Sequence, residues 1–190
     1  MVRALLCLLL AVTACASCTP GKTAVPTPSP SPVRRTVADS PPYLCNFIPR
    51  GALVELTGYR GSYKVSPNSG DPVGNTCVVS NDERSILLTS YDTSTGRRTL
   101  KTFVANGEKG SPVKLPEELG KGQTQNFEAR LFKFRHAGVW FRCGATSPFV
   151  SIAVMKNPAR DQDHDLVQLV KIAERRFGEM FGCEPSSDPR

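Results

Sequence analysis

The chain has 190 residues, a formal net charge of +7, 16 prolines and seven cysteines. This length fits one globular domain, typically of roughly 100–150 residues, with flanking segments. The positive charge favours acidic partners. The only long apolar run, residues 4–14, is far shorter than the roughly 20 residues of a membrane-spanning helix, which excludes a helical span there.

The N-terminus is typical of an export signal, because an apolar run follows the basic residue Arg3. The letters ACA around Cys15 fit cleavage by a secretory signal peptidase. The letters VTAC, which end at Cys15, resemble the bacterial lipobox, in which the cysteine receives diacylglycerol and becomes the mature N-terminus. We expect residues 1–14 to be a lipoprotein signal peptide and Cys15 to carry the lipid. The protein would then be anchored to the plasma membrane on its extracytoplasmic face.

The next segment is typical of a tether, since it contains PTPSPSP at residues 26–32. Pro-rich chains extend at about 3.1 Å per residue and bury too little apolar surface to fold. We expect residues 15–41 to hold the domain off the membrane. Cys18 is expected to be a free thiol or a second acylated residue, and it also competes with Cys15 as the mature N-terminus. The folded domain is expected at 42–185, with a tail at 186–190.

Four cysteines remain in the domain: Cys45, Cys77, Cys143 and Cys183. An even number in an oxidising compartment predicts two disulfides. Their scattered spacing differs from the close ligand pairs of zinc sites. Four cysteines allow three connectivities, and spacing alone does not choose among them.

The first half of the domain predicts a short helix, then a long loop, then strands. Pro49 and Gly58 are typical of a helix start and a helix stop. Turn formers fill the segment that follows, and β-branched and apolar runs come after it. The expected elements are a helix within 46–58, a loop at 59–76, strands at 77–80, 85–91 and 99–105, and a loop at 107–125.

The second half predicts a three-stranded antiparallel meander and a final helix. The strands are expected at 127–134, 139–143 and 149–155, with turns at 136–138 and 146–148. In the middle strand, alternation puts Val139, Phe141 and Cys143 on one face and Trp140 and Arg142 on the other. We expect Trp140 to be a core residue; a ligand-stacking role is the alternative.

The final helix has apolar residues at helical spacing, acids at its start and Gly182 as its stop. The apolar residues are Leu166, Leu169, Val170, Ala173, Phe177, Met180 and Phe181. These elements favour one connectivity. Cys183 follows the last helix and Cys143 faces inward on the sheet, so a bridge between them would join helix to sheet. By the same logic Cys45, before the first helix, pairs with Cys77 on the first strand.

The order of these features resembles the actinobacterial cell-envelope lipoproteins that carry the domain of unknown function 3558. The resemblance rests on the lipobox and tether, on PRGALVELTG after Cys45, on Cys77 leading a strand, on ARLFKFRHAGVWFRC and on the last helix. It covers roughly residues 42–185. It implies a PsbP-like α/β sandwich, in which N-terminal and C-terminal helices pack on an antiparallel sheet. It implies no activity, because the family has no established chemistry.

Patterns for catalysis are weak in this sequence. The only histidines are His136, in a predicted turn, and His164, at a predicted helix start. The letters SPVK at 111–114 match S-x-x-K, but glycine and prolines disfavour the helix that this motif needs. Asp161, Asp163 and Asp165 could suggest calcium; helix capping explains them better. We expect no catalytic residue, no cofactor and no bound metal.

Basic residues form the one candidate binding surface. Arg97, Arg98 and Lys101 lie on one predicted strand, and Arg130, Lys133, Arg135 and Arg142 lie on the meander. Export would remove nucleic acid as a partner. Anionic phospholipid headgroups or phosphorylated wall polymers would then be the available acids. A solvated surface without a ligand is the alternative.

The sequence therefore predicts an α+β domain that acts as a non-enzymatic binding module. Its partner would be another envelope protein or an anionic envelope component. A lipid or glycolipid carrier is the first alternative, and it would need a large apolar cavity. A cell-wall hydrolase is the second, and it would need a cleft with paired carboxylates.

Overall fold

The computed structural model describes residues 31–67, 74–109, 111–129 and 132–189. Cys15, Cys18 and Arg130 therefore lie outside the described residues. The helices are α1 (Leu53–Thr57), α2 (Gly96–Ala105) and α3 (Gln162–Phe181). The strands are β1 (Tyr43–Leu44), β2 (Ile48–Pro49), β3 (Lys64–Pro67), β4 (Gly74–Ser80), β5 (Ser85–Asp92), β6 (Val113–Lys114), β7 (Lys121–Ala129), β8 (Phe132–Trp140), β9 (Arg142–Cys143), β10 (Phe149–Met155) and β11 (Pro185–Ser186).

A seven-stranded antiparallel sheet dominates the described domain. Its strand order is β3-β4-β5-β10-β8-β7-β6, so β10 lies in the middle. All but the last residue of β10 are buried, because helices cover the sheet on both sides of this strand. The predicted α+β class with an antiparallel sheet is confirmed.

The predicted meander exists, but its turn was misplaced. Residues 136–138 lie inside β8, where Ala137 pairs with Ile152 and Gly138 pairs with Ser151. Gly138 marks a close approach of side chains and no turn, since a Cβ there would lie 2.8 Å from the ring of Phe149 and 2.9 Å from that of Phe103. The β7–β8 connection falls at residues 130–131, outside the described residues.

Two more sequence expectations were wrong. The predicted strand at 99–105 is helix α2, which contacts β8 and β10. Its Leu100 and Phe103 pack with Trp140 and Phe149 in a small apolar cluster. The predicted loops at 59–76 and 107–125 contain β3, β6 and most of β7.

The other face of the sheet carries the main core beneath α3. Val139, Phe141 and Cys143 lie in this core, while Trp140 lies in the small apolar cluster on the opposite face, as alternation predicted. Phe177 of α3 packs edge-on against Tyr91 and Phe141. The apolar stripe of α3 is therefore as the sequence predicted, except that Met180 and Phe181 remain 39% and 40% exposed.

Two disulfides connect the layers of the domain. Cys45 is bonded to Cys77, with 5.5 Å between their Cα atoms, and Cys143 is bonded to Cys183, with 5.3 Å. This is the connectivity that the predicted elements favoured. The second bridge joins the end of α3 to the residue just before the loop 144–147.

The expected tether boundary at residue 41 differs from the structure. Residues 33–39, called the strap below, lie along α3. Val33 forms a parallel bridge with Arg160, and Val37 is 5% exposed and donates its N–H to Gln168. The carboxylate of Asp39 accepts hydrogen bonds from Arg175. The strap packs because its apolar and charged residues find partners on α3.

The expected tail at 186–190 also differs, because Ser186 pairs with Arg142 across β11 and β9. The domain thus extends past residue 185. Within the described residues, no helix is long and apolar enough to cross a membrane.

Candidate anion-binding cleft

An open cleft of about 680 Å³ lies where β5 leaves the sheet and β10 begins. It is lined by residues 93–98, Lys101, Trp140 and residues 145–147. The pairing of Asp92 with Phe149 brings its two walls together, since the first wall follows Asp92 and the second precedes Phe149. We call this site the cationic cleft.

Asp92 fixes the first wall. Its carboxylate accepts hydrogen bonds from the backbone N–H groups of Ser94 and Thr95, both at 2.9 Å, and from the hydroxyls of Thr95 and Thr99. Burial alone would raise the pKa of Asp92, but these hydrogen bonds outweigh it and hold the pKa well below its usual range. The carboxylate is therefore ionised and its acceptor capacity is used within the wall.

Three cations surround the cleft. Arg97, Arg98 and Lys101 are exposed on α2, and among the described residues none of them forms an ion pair or a side-chain hydrogen bond. None of the described residues that line the cleft is acidic. The cleft therefore presents positive charge without a protein counter-charge in contact with it.

Trp140 contributes the apolar surface of the cleft. Its indole N–H donates to the carbonyl of Ser147 at 3.0 Å, which links β8 to the second wall. The ammonium of Lys121 lies 5.5 Å from the centre of the ring, a cation–π contact. Only 6% of Trp140 is exposed, so the residue belongs to the core although it lines the cleft.

Gly96 allows α2 to approach Trp140 and the second wall closely. A Cβ at Gly96 would lie 2.3 Å from the carbonyl oxygen of Ser147 and 2.7 Å from Cδ1 of Trp140. Such contacts are shorter than real Cβ atoms make, so the start of α2 depends on glycine. The absence of a side chain thereby lets the start of α2 lie against Ser147 and Trp140.

The structure divides the basic surface that the sequence predicted. Arg97, Arg98 and Lys101 do come together, although on a helix and not on a strand. Arg135 is 8% exposed and forms an ion pair with Asp163 at 2.7 Å, so its place in an exposed basic surface was wrong. Lys133 pairs with Glu128 at 3.0 Å.

Arg142 is partly exposed and donates to the carbonyl of Gly144 at 3.2 Å, just before the second wall. Sequence reasoning missed Asp92, the walls at 93–95 and 145–147, and Lys121. The signal for the first wall was an acid followed by Ser94 and Thr95, a pattern typical of the residues before a helix.

The other residues with chemical potential have protein partners. Asp161 accepts from the backbone N–H of His164, as a helix cap does. Asp163 pairs with Arg135, and Asp165 forms a buried bidentate pair with Arg160 at 2.6 and 2.9 Å. Within the described ranges, no group of three or more His, Cys, Asp or Glu side chains is arranged to hold a metal.

The two histidines, and the Ser and Lys of the S-x-x-K match, lie in different parts of the described structure. His136 lies in β8 against the ring of Phe103, and burial lowers its pKa to about 4. His164 lies at the start of α3, 3.0 Å from the amide of Gln168. The hydroxyl of Ser111 donates to the carbonyl of Glu108, and Lys114 lies on the edge strand β6.

A second, apolar pocket lies beside the Cys45–Cys77 disulfide. Its volume is about 160 Å³, and Phe47, Val65 and Tyr91 are among the residues that line it. At about 30 Å³ per molecule, this space corresponds to roughly five waters.

No family model matches the chain, and neither the curated proteins nor the solved structures include a significant match to it.

Proposed function

We propose that the protein is an exported, lipid-anchored binding module of the cell envelope, without enzymatic activity, whose cationic cleft binds an anionic envelope component. The carrying observation is the set of three exposed cations, Arg97, Arg98 and Lys101, that surround one cleft without a carboxylate partner among the described residues. An anionic ligand would supply the missing counter-charge.

The position of these cations supports a ligand over simple solvation. The first turn of α2 itself contains Arg97 and Arg98 and no acid, although Asp92 of β5 accepts from the N–H of Thr95 just before it. Each cation near a helix N-terminus costs roughly 0.3–1 kcal/mol relative to a neutral residue, because the helix dipole is positive there. Residues that break a local rule of stability are expected at functional sites.

The cellular location and the lipid anchor are part of the same proposal. We propose that Cys15 carries the lipid, that the chain belongs with the envelope lipoproteins carrying the domain of unknown function 3558, and that the sheet and its helices form a PsbP-like sandwich. Support comes from the lipobox letters before Cys15, from two disulfides in one domain and from an order of elements that ends in an amphipathic helix.

The two alternatives have less support. An acyl-chain carrier needs a large apolar cavity, whereas the apolar pocket beside Phe47 measures about 160 Å³. A cell-wall hydrolase needs paired carboxylates in a cleft. None of the described residues that line the cationic cleft is acidic, and the adjacent Asp92 uses its carboxylate to hold the first wall.

Charge reversal tests the cleft. The variant R97E/R98E/K101E should weaken binding of the full chain to phosphatidylglycerol vesicles or to poly(glycerol phosphate) at least tenfold, measured by equilibrium titration. The matched control reverses Arg84, Lys109 and Lys156, which do not line the cleft and give the same net charge. Equal losses in both variants would mean that net charge alone attracts the anion, and the proposal would fail.

Acyl labelling in cells tests lipidation at Cys15 and attachment to the membrane. Cys15→Ala should abolish incorporation of a labelled fatty acid and release the protein from the membrane fraction. Cys18→Ala is the control, and it should leave the protein in the membrane. Unchanged labelling of the Cys15→Ala variant would contradict lipidation at Cys15.

A further inference from the structure

We infer that the anion in the cationic cleft is a phosphodiester polymer of the cell wall and not a lipid of the membrane that anchors the chain. This inference rests on the proposed function and adds the source of the ligand. It follows from where the chain joins the domain and from how the cations are spread.

The chain joins the domain at the end opposite to the cleft. The strap begins at Val33, whose N–H donates to the carbonyl of Ala159 and whose carbonyl accepts from Asp161. Ala159 and Asp161 follow the last residue of β10, whereas the cleft wall at 145–147 precedes its first residue. The seven residues of β10 are joined by six rises of about 3.4 Å, which separate the two ends by roughly 20 Å.

The strap makes this arrangement rigid on the domain side. Arg34 forms an ion pair with Asp161 at 2.6 Å, Val37 is buried, and Asp39 is held by Arg175. The chain that precedes the domain therefore enters it at Val33, beyond the end of β10 that lies away from the cleft. A lipid at Cys15 would act on this end of the domain.

The cations are spread over a length, as a polymer requires. Arg97 and Lys101 are four residues apart on α2, a rise of about 6 Å. Lys121, on β7, is exposed, and its ammonium lies 5.5 Å from the centre of the Trp140 ring. One phosphate can contact both Arg97 and Lys101, because residues four apart are neighbours on a helix. A chain with repeated phosphates can contact these cations and Lys121 at once.

Two probes with the same headgroup chemistry separate the sources. Poly(glycerol phosphate) represents the wall polymer, and vesicles of phosphatidylcholine with phosphatidylglycerol represent the membrane. Trp140 is the only tryptophan of the chain and lines the cleft, so its fluorescence reports the site directly. The protein is the acylated full chain, reconstituted in these vesicles.

We expect poly(glycerol phosphate) to change the emission of Trp140, with an affinity for the unmodified chain at least tenfold higher than for the variant R97E/R98E/K101E. Spin-labelled lipid headgroups in the anchoring vesicles should leave that emission unquenched. If the headgroups quench the emission, and the variant R97E/R98E/K101E abolishes this quenching, the ligand is the membrane lipid. The inference would then be overturned and the proposed function would stand. If the variant changes the response to neither probe, the inference and the proposed function both fail.

Discussion

Helices α2 and α3 lie on opposite faces of one sheet and begin in opposite ways. At the start of α3, Asp161 accepts from a backbone N–H, and Asp163 and Asp165 occupy the first turn. At the start of α2, Arg97 and Arg98 occupy the first turn, and the acid that contacts this end is Asp92 of β5, which accepts from the N–H of Thr95 and the hydroxyl of Thr99. Acids at the positive end of a helix dipole stabilise it, and cations destabilise it.

The difference extends to packing. The α3 face carries the large core, and it contains buried ion pairs such as that of Arg160 with Asp165. The α2 face carries the small apolar cluster of Phe103, Trp140, Phe149 and Leu100, beside exposed cations. We infer that the α3 face supplies most of the stability and that the α2 face is available for binding.

Matched truncations give the largest expected effects. Phe177→Ala removes a ring that is 1% exposed and contacts Tyr91, Phe141 and Phe181, and it should lower the free energy of unfolding by about 3–5 kcal/mol. Phe103→Ala, in the small apolar cluster, should cost less. Urea unfolding measures both, and a larger loss for Phe103→Ala would reverse the comparison.

The two sides also respond oppositely to pH. Burial lowers the pKa of His136, beneath α2, to about 4. The unfolded chain, with a histidine pKa near 6.5, binds more protons than the native state between these values. Stability therefore falls as the pH drops from about 6.5 to about 4, by on the order of 3 kcal/mol. His136→Gln should remove this loss in unfolding curves measured across that range.

Glu174 on α3 gives the opposite dependence of stability on pH. Burial, opposed by Lys171 and assisted by Glu118, raises its pKa to about 8, and its Oε1 has no partner among the described residues. The native state keeps a proton that the unfolded state loses, so stability falls as the pH rises from about 4.5 to about 8. Glu174→Gln should flatten this part of the profile, and a slope unchanged by the substitution would contradict the assignment.

Gly96→Ala tests how closely α2 must approach the sheet. Its Cβ would meet the carbonyl oxygen of Ser147 at 2.3 Å, and a backbone atom has little room to move. We expect a loss of about 1–3 kcal/mol and a shift in Trp140 emission. Gly51→Ala is the control, because nothing lies within 4 Å of its added Cβ; equal stabilities of the two variants would refute the close approach.

The sequence predicted the α3 face better than the α2 face, and the reasons are physical. Helix α3 has twenty residues with a continuous apolar stripe and clear ends at Asp161 and Gly182. Helix α2 contacts the sheet mainly through Leu100 and Phe103, too few positions to show a helical period. Its β-branched and aromatic residues are typical of strands, which produced the wrong assignment.

Glycines and prolines concealed part of the sheet. Residues 121–125 of β7 were assigned to a loop because glycines and prolines recur between residues 107 and 125, yet Gln125 is 1% exposed and donates to the carbonyl of Phe103 at 2.7 Å. Arg135 was counted as surface charge because its partner Asp163 is 28 residues away. Composition reveals which charges exist, and only the fold reveals which of them are paired.

The smallest expected effect bears most directly on the cleft. If the cations of α2 are kept for a ligand and weaken the helix, Arg97→Glu and Arg98→Glu should each raise the free energy of unfolding by about 0.3–1 kcal/mol at low ionic strength while they weaken anion binding. Lys101→Glu lies beyond the first turn, where the dipole effect has decayed, so it should weaken binding without the same gain. Thermal unfolding at low and high salt distinguishes the cases, because salt screens the dipole. A stability loss in Arg97→Glu and Arg98→Glu would mean that these arginines support the fold. The α2 face would then contribute to stability as the α3 face does, and the proposed difference between the two faces would be wrong.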